Sequence, residues 1–246
     1  MEKKISGLLF AGTLAVFSVL VVADEKITSV QTALKKFMPG VQLQSIKPTP
    51  IPGLYEIVIE GQVLYFSEDG RYAVQGQLVD LATRTNLTEE RMNAVRAKAI
   101  NALDKRDMIV FGPKEAKYTV NIFTDIDCPY CRQMHQHVDE YNKLGIKIRY
   151  LSFPRAGIGS ASYDKAVAVW CAKDRQQALT QAKADKPIEN TANKCKNPVA
   201  DQFNLGQSLG VNATPTLILD DGTMLPGFIR PQALVSFLEQ HYEKTK

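Results

Sequence analysis

Two of the four cysteines in this chain of 246 residues, Cys128 and Cys131, frame a Pro-Tyr pair in the stretch "TDIDCPYCR". Cysteines at this spacing suit three kinds of chemistry. A zinc site of this type brings a second close pair of Cys or His ligands. Here Cys171 and Cys195 stand far apart, and His135 and His137 lie two positions apart, on different faces of a helix. A purely structural disulfide across two residues closes a very small loop and gains little from chain entropy. A redox couple fits the surroundings better. The motif follows an apolar run at 120–123 that reads as a strand. It precedes a segment that reads as a helix from Pro129, whose missing N–H is no loss in a first helical turn. Cys128 then falls at the helix cap, where free N–H groups and the helix dipole favour a thiolate. Cys131 lies one turn inward, so Cys128 is expected to attack and Cys131 to resolve. Asp125 and Asp127 oppose the thiolate by charge, and are read as turn and cap residues.

A second feature lies far along the chain. In "GVNATPTLIL", Thr214-Pro215 opens an apolar strand. Proline is permitted at the first residue of a strand, and an X–Pro bond takes the cis form at modest cost. The plain reading is a strand start. The functional reading is a cis-proline packed against the CPYC motif.

The elements that must position these residues follow from periodicity. Ile27, Val30, Leu34 and Phe37 share one helical face, ended by Pro39-Gly40. "LYEIVIE" and "QVLYFSE" read as strands joined at Glu60-Gly61, "EDG" as a hairpin turn, and "RYAVQGQLVDLAT" as a continuation of the sheet. A unit this small buries little apolar surface and is expected to dimerise or dock. Residues 86–107 read as one helix capped by Thr88, with acidic residues at its start and basic ones at its end. Its narrow stripe of Met92, Val95, Ala99 and Leu103 suits an exposed linker. Beyond it come strands at "MIVFG", "KYTVNIF" and "IKIRYLSF", helices over 129–144, 160–184 and 198–209, a hairpin over 215–227 and a last helix over 231–243.

Residues 1–4 are short and basic, 5–23 are uncharged and end in Val-Val-Ala, and Asp24-Glu25-Lys26 restore polarity. This is the layout of a secretory signal, although the run is close to the roughly 20 residues of a membrane-spanning helix. Either way the remainder is expected outside the cytoplasm, where disulfides persist. Four cysteines allow two pairs in three connectivities. Hydrophobic residues make up 45% and charged residues 23% of the chain, which excludes a disordered or fibrous class. A net charge of +4 gives no argument for nucleic-acid binding.

A CxxC after a strand, with Thr-Pro before a β-hairpin and terminal helix, resembles the thioredoxin fold. The stretches "FTDIDCPYC", "YNKLGIKIRYLSFPR", "AVWCAKD", "LGVNATPTLIL" and "DGTMLPGF", in this order, resemble the DsbC/DsbG family of periplasmic disulfide isomerases, nearer to DsbC. The resemblance implies a signal peptide at 1–23 and an α+β, cystatin-like dimerisation domain at 24–84. It further implies a linker helix at 85–106 and an α/β thioredoxin-like domain with a helical insertion at 107–246. It implies a V-shaped homodimer around an apolar cleft for misfolded, disulfide-containing exported proteins, re-reduced by a DsbD-type membrane reductase. The redox-active Cys128–Cys131 pair would be the sole redox group, with no metal. Pro129, Tyr130, Thr214 and Pro215 would lie on the substrate side, and Cys171 and Cys195 would form a structural disulfide.

Two departures bear on the chemistry. The Pro-Tyr dipeptide resembles DsbG more than the Gly-Tyr of DsbC, whereas Cys171 and Cys195 match the additional pair of DsbC. Where thioredoxins carry a buried Asp, this chain has Ile122. An isomerase/reductase leads. An oxidase would not need the N-terminal unit. A thiol-independent chaperone and a reductase of sulfenic acids are the other expectations.

Overall fold

The computed structural model describes residues 18–188 and 195–244, so residues 1–17 of the expected signal lie outside them. No helix among the described residues is long and apolar enough to cross a membrane. The chain forms two compact units: one runs to residue 60 and includes 64–76, and the other comprises 61–63 and everything from 77 onward.

In the first unit, α1 (Ser18–Phe37) is followed by β1 (Leu43–Pro48), β2 (Leu54–Ile59), β3 (Gln62–Ser67) and β4 (Ala73–Val74), ordered β1-β2-β3-β4 in one sheet. Glu60 and Gly61 both have positive φ, 49° and 81°, as a two-residue hairpin of the right twist requires. Val30 and Leu34 of α1 bury against Tyr55, Ile57, Ile59 and Phe66. Phe37, expected on the same face, is 60% exposed. It is the last residue of the helix, where the chain turns away through Met38 to Gly40.

The sheet stops earlier than its sequence suggests. Of "RYAVQGQLVDLAT" only Ala73–Val74 joins it, while β5 (Val79–Asp80) pairs with β6 (Thr85–Asn86) in a separate hairpin of the second unit. That hairpin is tied to the following helix, α2 (Leu87–Asn101), because the Leu78 N–H donates to the Thr88 hydroxyl at 2.7 Å. Thr88 is therefore not the cap. Asn86 is, its side chain accepting from the Glu89 N–H at 3.0 Å.

Nor does α2 stand free. Met92 and Ile100 are buried, and Ile100 joins a cluster with Met108, Phe123, Leu151, Phe203 and Ile218. The expected stripe residues Val95, Ala99 and Leu103 pack against the same cluster. Buried Arg96 donates through Nε to the Leu209 carbonyl at 3.2 Å and through Nη1 to Glu89 at 2.6 Å. The helix comes so close that a Cβ on Gly222 would meet the Asn93 carbonyl oxygen at 1.8 Å, and Gly222 also holds φ +87°. Only glycine satisfies both.

The remaining elements are β7 (Ile109–Phe111), β8 (Tyr118–Thr124), α3 (Pro129–Gln136), α4 (Val138–Lys143), β9 (Ile146–Ser152), α5 (Ala161–Cys171), α6 (Arg175–Lys183), α7 (Val199–Ser208), β10 (Thr216–Leu219), β11 (Met224–Pro226) and α8 (Pro231–Lys244). Five strands form one sheet in the order β11-β10-β8-β9-β7. β8 and β9 are parallel, and the other pairings are antiparallel. Central β8 is buried at every position but Thr119, which explains its unbroken apolar run. Its residues alternate between two cores. Val120 and Ile122 face Met134, Tyr141, Trp170 and Leu234, while Phe123 faces the cluster that holds Ile100.

Two expected helices are each broken in two. The chain bends at His137 between α3 and α4. Ala172 is extended, and Asp174 caps α6 by accepting from the Gln177 N–H at 3.0 Å. A short acidic side chain at that point starts a new helix rather than continuing the old one. Cys171 and Cys195 are joined by a disulfide with a sequence separation of 24, which closes the loop containing α6.

Candidate functional site

The second unit holds every residue of the site. Strand β8 ends at Thr124, and four residues later Cys128 is the N-cap of α3, with Pro129 at its first position. The motif is asymmetric. Pro129 and Tyr130 face solvent, Tyr130 being 63% exposed, while Cys128 and Cys131 are each 1% exposed and both free. Across from them Thr214 and Pro215 are buried just ahead of β10, joined by a cis peptide bond. The Cys128 thiol donates to the Thr214 carbonyl at 3.1 Å. A residue separated by 86 positions in sequence thus becomes the direct neighbour of the first cysteine. Its proximity rests on β10 pairing with β8, Thr216 opposite Phe123.

The electrostatics of the two sulfurs diverge. A hydrogen bond from the Cys131 thiol is the strongest influence pulling the Cys128 thiol down, to about 5. Burial opposes this, but the Thr214 side chain, the Cys131 backbone N–H and the Arg155 charge all act in the same downward direction. Burial pushes Cys131 well above the usual thiol range, and serving as donor to Cys128 pushes it further. A thiolate on Cys128 beside a neutral thiol on Cys131 is the favoured arrangement of the pair.

The nearby acids do not spoil it. Asp125 is 3% exposed. Burial raises its pKa, but hydrogen bonds from Ser162 at 2.5 Å, the Arg155 N–H, the Asp127 N–H and the Arg155 guanidinium outweigh burial and hold it below the usual carboxylate range. Asp127 pairs with Lys165 at 2.7 Å and with Arg132 at 3.1 Å. Both carboxylates are therefore matched by cations, and Asp125 also makes the turn into the motif.

Sequence reasoning weighed His135 only as a metal ligand and did not single out Lys183 behind the pair. His135 is buried, its Nε2 2.9 Å from the Thr180 hydroxyl and its Nδ1 3.1 Å from Tyr150 Oη. Thr180 spends its own proton on the Gln176 carbonyl, so His135 donates from Nε2 and accepts from Tyr150. Burial, then the Lys183 charge, lower its pKa to about 3. Lys183, one more lysine on a polar helix by sequence, is 4% exposed and donates to the Thr124 hydroxyl at 2.8 Å. No periodicity marks it, because α6 turns its last residue inward beneath α3. Among the described residues no group of three or more His, Cys, Asp or Glu is placed to hold a metal.

Thr214 offers a direct check. Its hydroxyl is buried without a hydrogen-bond partner, in the residue whose carbonyl lies 3.1 Å from the Cys128 sulfur, and a thiolate there would offer it an acceptor. A hydrogen bond to a charged acceptor contributes about 1.5–3 kcal/mol, so Thr214→Val is expected to raise the Cys128 titration midpoint by about one pH unit. Thiolate absorbance against pH measures this. An unmoved midpoint would place the hydroxyl outside the thiolate's reach.

A cysteine pair capping the helix after a central strand, beside a cis-proline that opens the antiparallel neighbour strand, is the arrangement of thioredoxin-like thiol–disulfide proteins. Comparison with known proteins agrees and goes further. Residues 105–242 match the thioredoxin-like domain family, and residues 21–89 match the disulfide bond isomerase protein N-terminal domain. The chain is 35% identical over 241 residues to the thiol:disulfide interchange protein DsbC of Escherichia coli (strain K12), covering 97% of this chain and 98% of that one. It is 34% identical over 235 residues to the DsbC of Haemophilus influenzae, covering 94% and 97%. A crystal structure of a disulfide interchange protein from Neisseria gonorrhoeae superposes with a TM-score of 0.49 at 27% identity, covering 56% of this chain and 97% of that one. The chain belongs to the DsbC family of thiol:disulfide interchange proteins.

Proposed function

We propose that this protein reshuffles and reduces wrong disulfides in exported proteins, with Cys128 as the attacking thiolate and Cys131 as the resolving thiol. The observation that carries the reading is the placement of two free, buried cysteines, Cys128 at the cap of α3 and Cys131 three residues on, with Cys128 against the cis Thr214-Pro215 bond; the opposite shifts of the two thiols agree with it. Cys128 attacks a substrate disulfide. One substrate sulfur bonds to Cys128 Sγ and the other leaves as a thiolate. That thiolate either attacks elsewhere in the substrate, giving isomerisation, or Cys131 releases the substrate reduced and closes the Cys128–Cys131 disulfide. The exposed faces of Pro129 and Tyr130 and the Thr214-Pro215 edge supply the substrate side. No external cofactor enters the cycle.

Residues 24–84 serve as the dimerisation domain and 85–106 as its connection to the thioredoxin-like part, residues 107–246. The working form is a homodimer in the periplasm, exported by residues 1–23 and kept reduced by a DsbD-type membrane reductase. A second reading, reduction of sulfenylated cysteines, draws on Pro129, which gives the motif a DsbG-like dipeptide.

The test is refolding of scrambled, wrongly paired ribonuclease by the reduced protein, with Cys128→Ser as control. Recovery of ribonuclease activity by the unaltered protein, and its loss by about a hundredfold or more in the variant, is expected. No recovery by the fully reduced protein would turn the assignment to sulfenic-acid reduction, or to a chaperone role if Cys128→Ser still suppresses aggregation.

A further inference from the structure

Beyond residue 81, large apolar side chains are exposed at only two positions among the described residues, Tyr130 at 63% and Ile158 at 52%. Tyr130 belongs to the cysteine motif. Ile158 lies in the loop that joins β9 to α5. Two turns build that loop. The Gly157 N–H donates to the Pro154 carbonyl at 2.9 Å, and the Ser160 N–H donates to the Gly157 carbonyl at 3.3 Å. The Ser160 hydroxyl reinforces the second turn by donating to the same carbonyl at 2.7 Å. Gly159 holds φ +83°, as a type II turn requires at its third position, and Ile158 is left at the corner. Turns favour Gly, Pro, Asn, Asp and Ser, so turn chemistry does not select an isoleucine here. Core packing does not select it either, for Ile158 joins neither apolar cluster of the second unit.

The topology puts this loop beside the cysteine pair. β8 lies between β10 and β9. Thr216 at the start of β10 pairs with Phe123, and Ser152 at the end of β9 pairs with Thr124. One edge of the sheet therefore carries three segments in a row: Thr214-Pro215 ahead of β10, the cysteine motif after β8, and the Ile158 loop after β9. Neighbouring strands run about 4.8 Å apart. The loop is also fastened to the motif. The Phe153 N–H donates to the Thr124 carbonyl at 2.8 Å. The Arg155 N–H and its Nε both donate to Asp125 Oδ2 at 3.0 Å, and the Asp125 carbonyl accepts from the Cys128 N–H at 3.3 Å. Three residues of chain reach about 10 Å at most, which bounds how far Ile158 lies from Arg155. Open α/β sheets take ligands in the crevice beyond the carboxyl ends of their strands, and that is where β8 and β9, the parallel pair, deliver the motif and the loop.

We propose that Ile158 is a specificity-determining residue, the apolar contact for a side chain next to the substrate cysteine that Cys128 attacks. The proposal rests on the reading of Cys128 as the attacking thiolate. The occupant is a chain segment whose disulfide cysteine is flanked by a large apolar residue. Bonding to Cys128 Sγ holds the substrate sulfur over the middle segment of the three. A neighbour on one side of that sulfur then meets Thr214-Pro215, and a neighbour on the other side meets the loop that carries Ile158. The charges around the motif are paired with one another, Arg155 with Asp125, and Lys165 and Arg132 with Asp127. Apolar contact is left to discriminate between substrates. Large apolar side chains are the ones a folded protein buries, so a contact of this kind favours disulfides in chains that have not yet closed their cores.

The experiment measures how fast Cys128 of the full-length reduced protein attacks two peptide disulfides, identical except that leucine or serine stands on both sides of the cysteine. The unaltered protein is expected to favour the leucine peptide. In Ile158→Ser the ratio of the two rates should fall by about tenfold, the lower end of what an apolar pocket discriminates. Ile158→Leu, which keeps an apolar side chain, should keep the ratio. A residue that only holds the loop in shape would slow both peptides together and leave the ratio unmoved. An unmoved ratio in Ile158→Ser, or no preference for leucine in the unaltered protein, would overturn the proposal. So would sedimentation of Ile158→Ser as a smaller species than the unaltered protein, which would give the residue to a contact between copies of the chain. If the unaltered protein attacks neither peptide, oxidised mercaptoethanol separates the two readings. Attack on that small disulfide would overturn the proposal alone, and no attack would bring down the reading of Cys128 first and the proposal with it.

Discussion

Alkylation of Cys128 in the reduced protein is expected to titrate with a midpoint of about 5, while Cys131 stays unmodified throughout the neutral range. The thiolate is the reactive form. An ordinary thiol near pH 7 is ionised in only a few per cent of molecules, whereas Cys128 would be ionised in nearly all. Four donors or charges bring this about, led by the Cys131 thiol. The same shift governs stability. The folded pKa lies below the unfolded one, so the thiolate's contribution is fully present only above the unfolded thiol value, about 8.5. It is lost as pH falls through about 5. Denaturant midpoints of the reduced form should therefore drop between these limits relative to the oxidised form, which has no thiol to titrate at this site. Mass spectrometry of alkylated protein over a pH series measures the first effect and denaturant unfolding the second. A midpoint near that of a free thiol would remove the electrostatic basis of the proposed attack.

Removing the Cys171–Cys195 disulfide, in a Cys171→Ser/Cys195→Ser double variant, is expected to destabilise the protein by about 3 kcal/mol. This is the chain-entropy value for a loop of roughly this length. The bond spans a separation of 24 and closes the loop that contains α6. Ala178, Leu179 and Ala182 of α6 pack into the core beside Val169 and Trp170 of α5, and Arg175 stacks on the Trp170 ring at 3.7 Å. These contacts should keep α6 in place in the folded state, so the loss should fall on the unfolding equilibrium rather than on the rate of Cys128 alkylation. Urea unfolding with the Cys128–Cys131 pair kept reduced measures it. A loss below about 1 kcal/mol would mean that the denatured chain is already constrained around α5 and α6 without the bond.

Much of this arrangement was legible without coordinates. The β8 strand, the helix beginning at Pro129 and the hairpin turning at Asp221-Gly222 follow from local rules: an apolar run, a proline at a first turn, a glycine at positive φ. Local rules miscarried where tertiary contacts compete with them. The stripe on α2 is narrow, yet the helix is docked, because buried Arg96 and the close approach at Gly222 complete a contact that apolar periodicity does not register. Thr88 has the chemistry of a cap, but hairpin β5–β6 claims its hydroxyl and Asn86 takes the role. The helix expected over 160–184 breaks because Asp174 can restart it.

From sequence alone came the CxxC at a strand-to-helix junction, the reason its first cysteine should be acidic, and the candidate cis-proline at Thr214-Pro215. Each depends on neighbours in the chain, where spacing sets geometry directly. Tertiary structure alone decided which sulfur interacts with the Thr214 carbonyl, which cations neutralise Asp125 and Asp127, and that Lys183 is buried behind the pair. Those contacts join residues far apart in sequence, and burial in a core, not residue type, turns a surface lysine into a partner of Thr124.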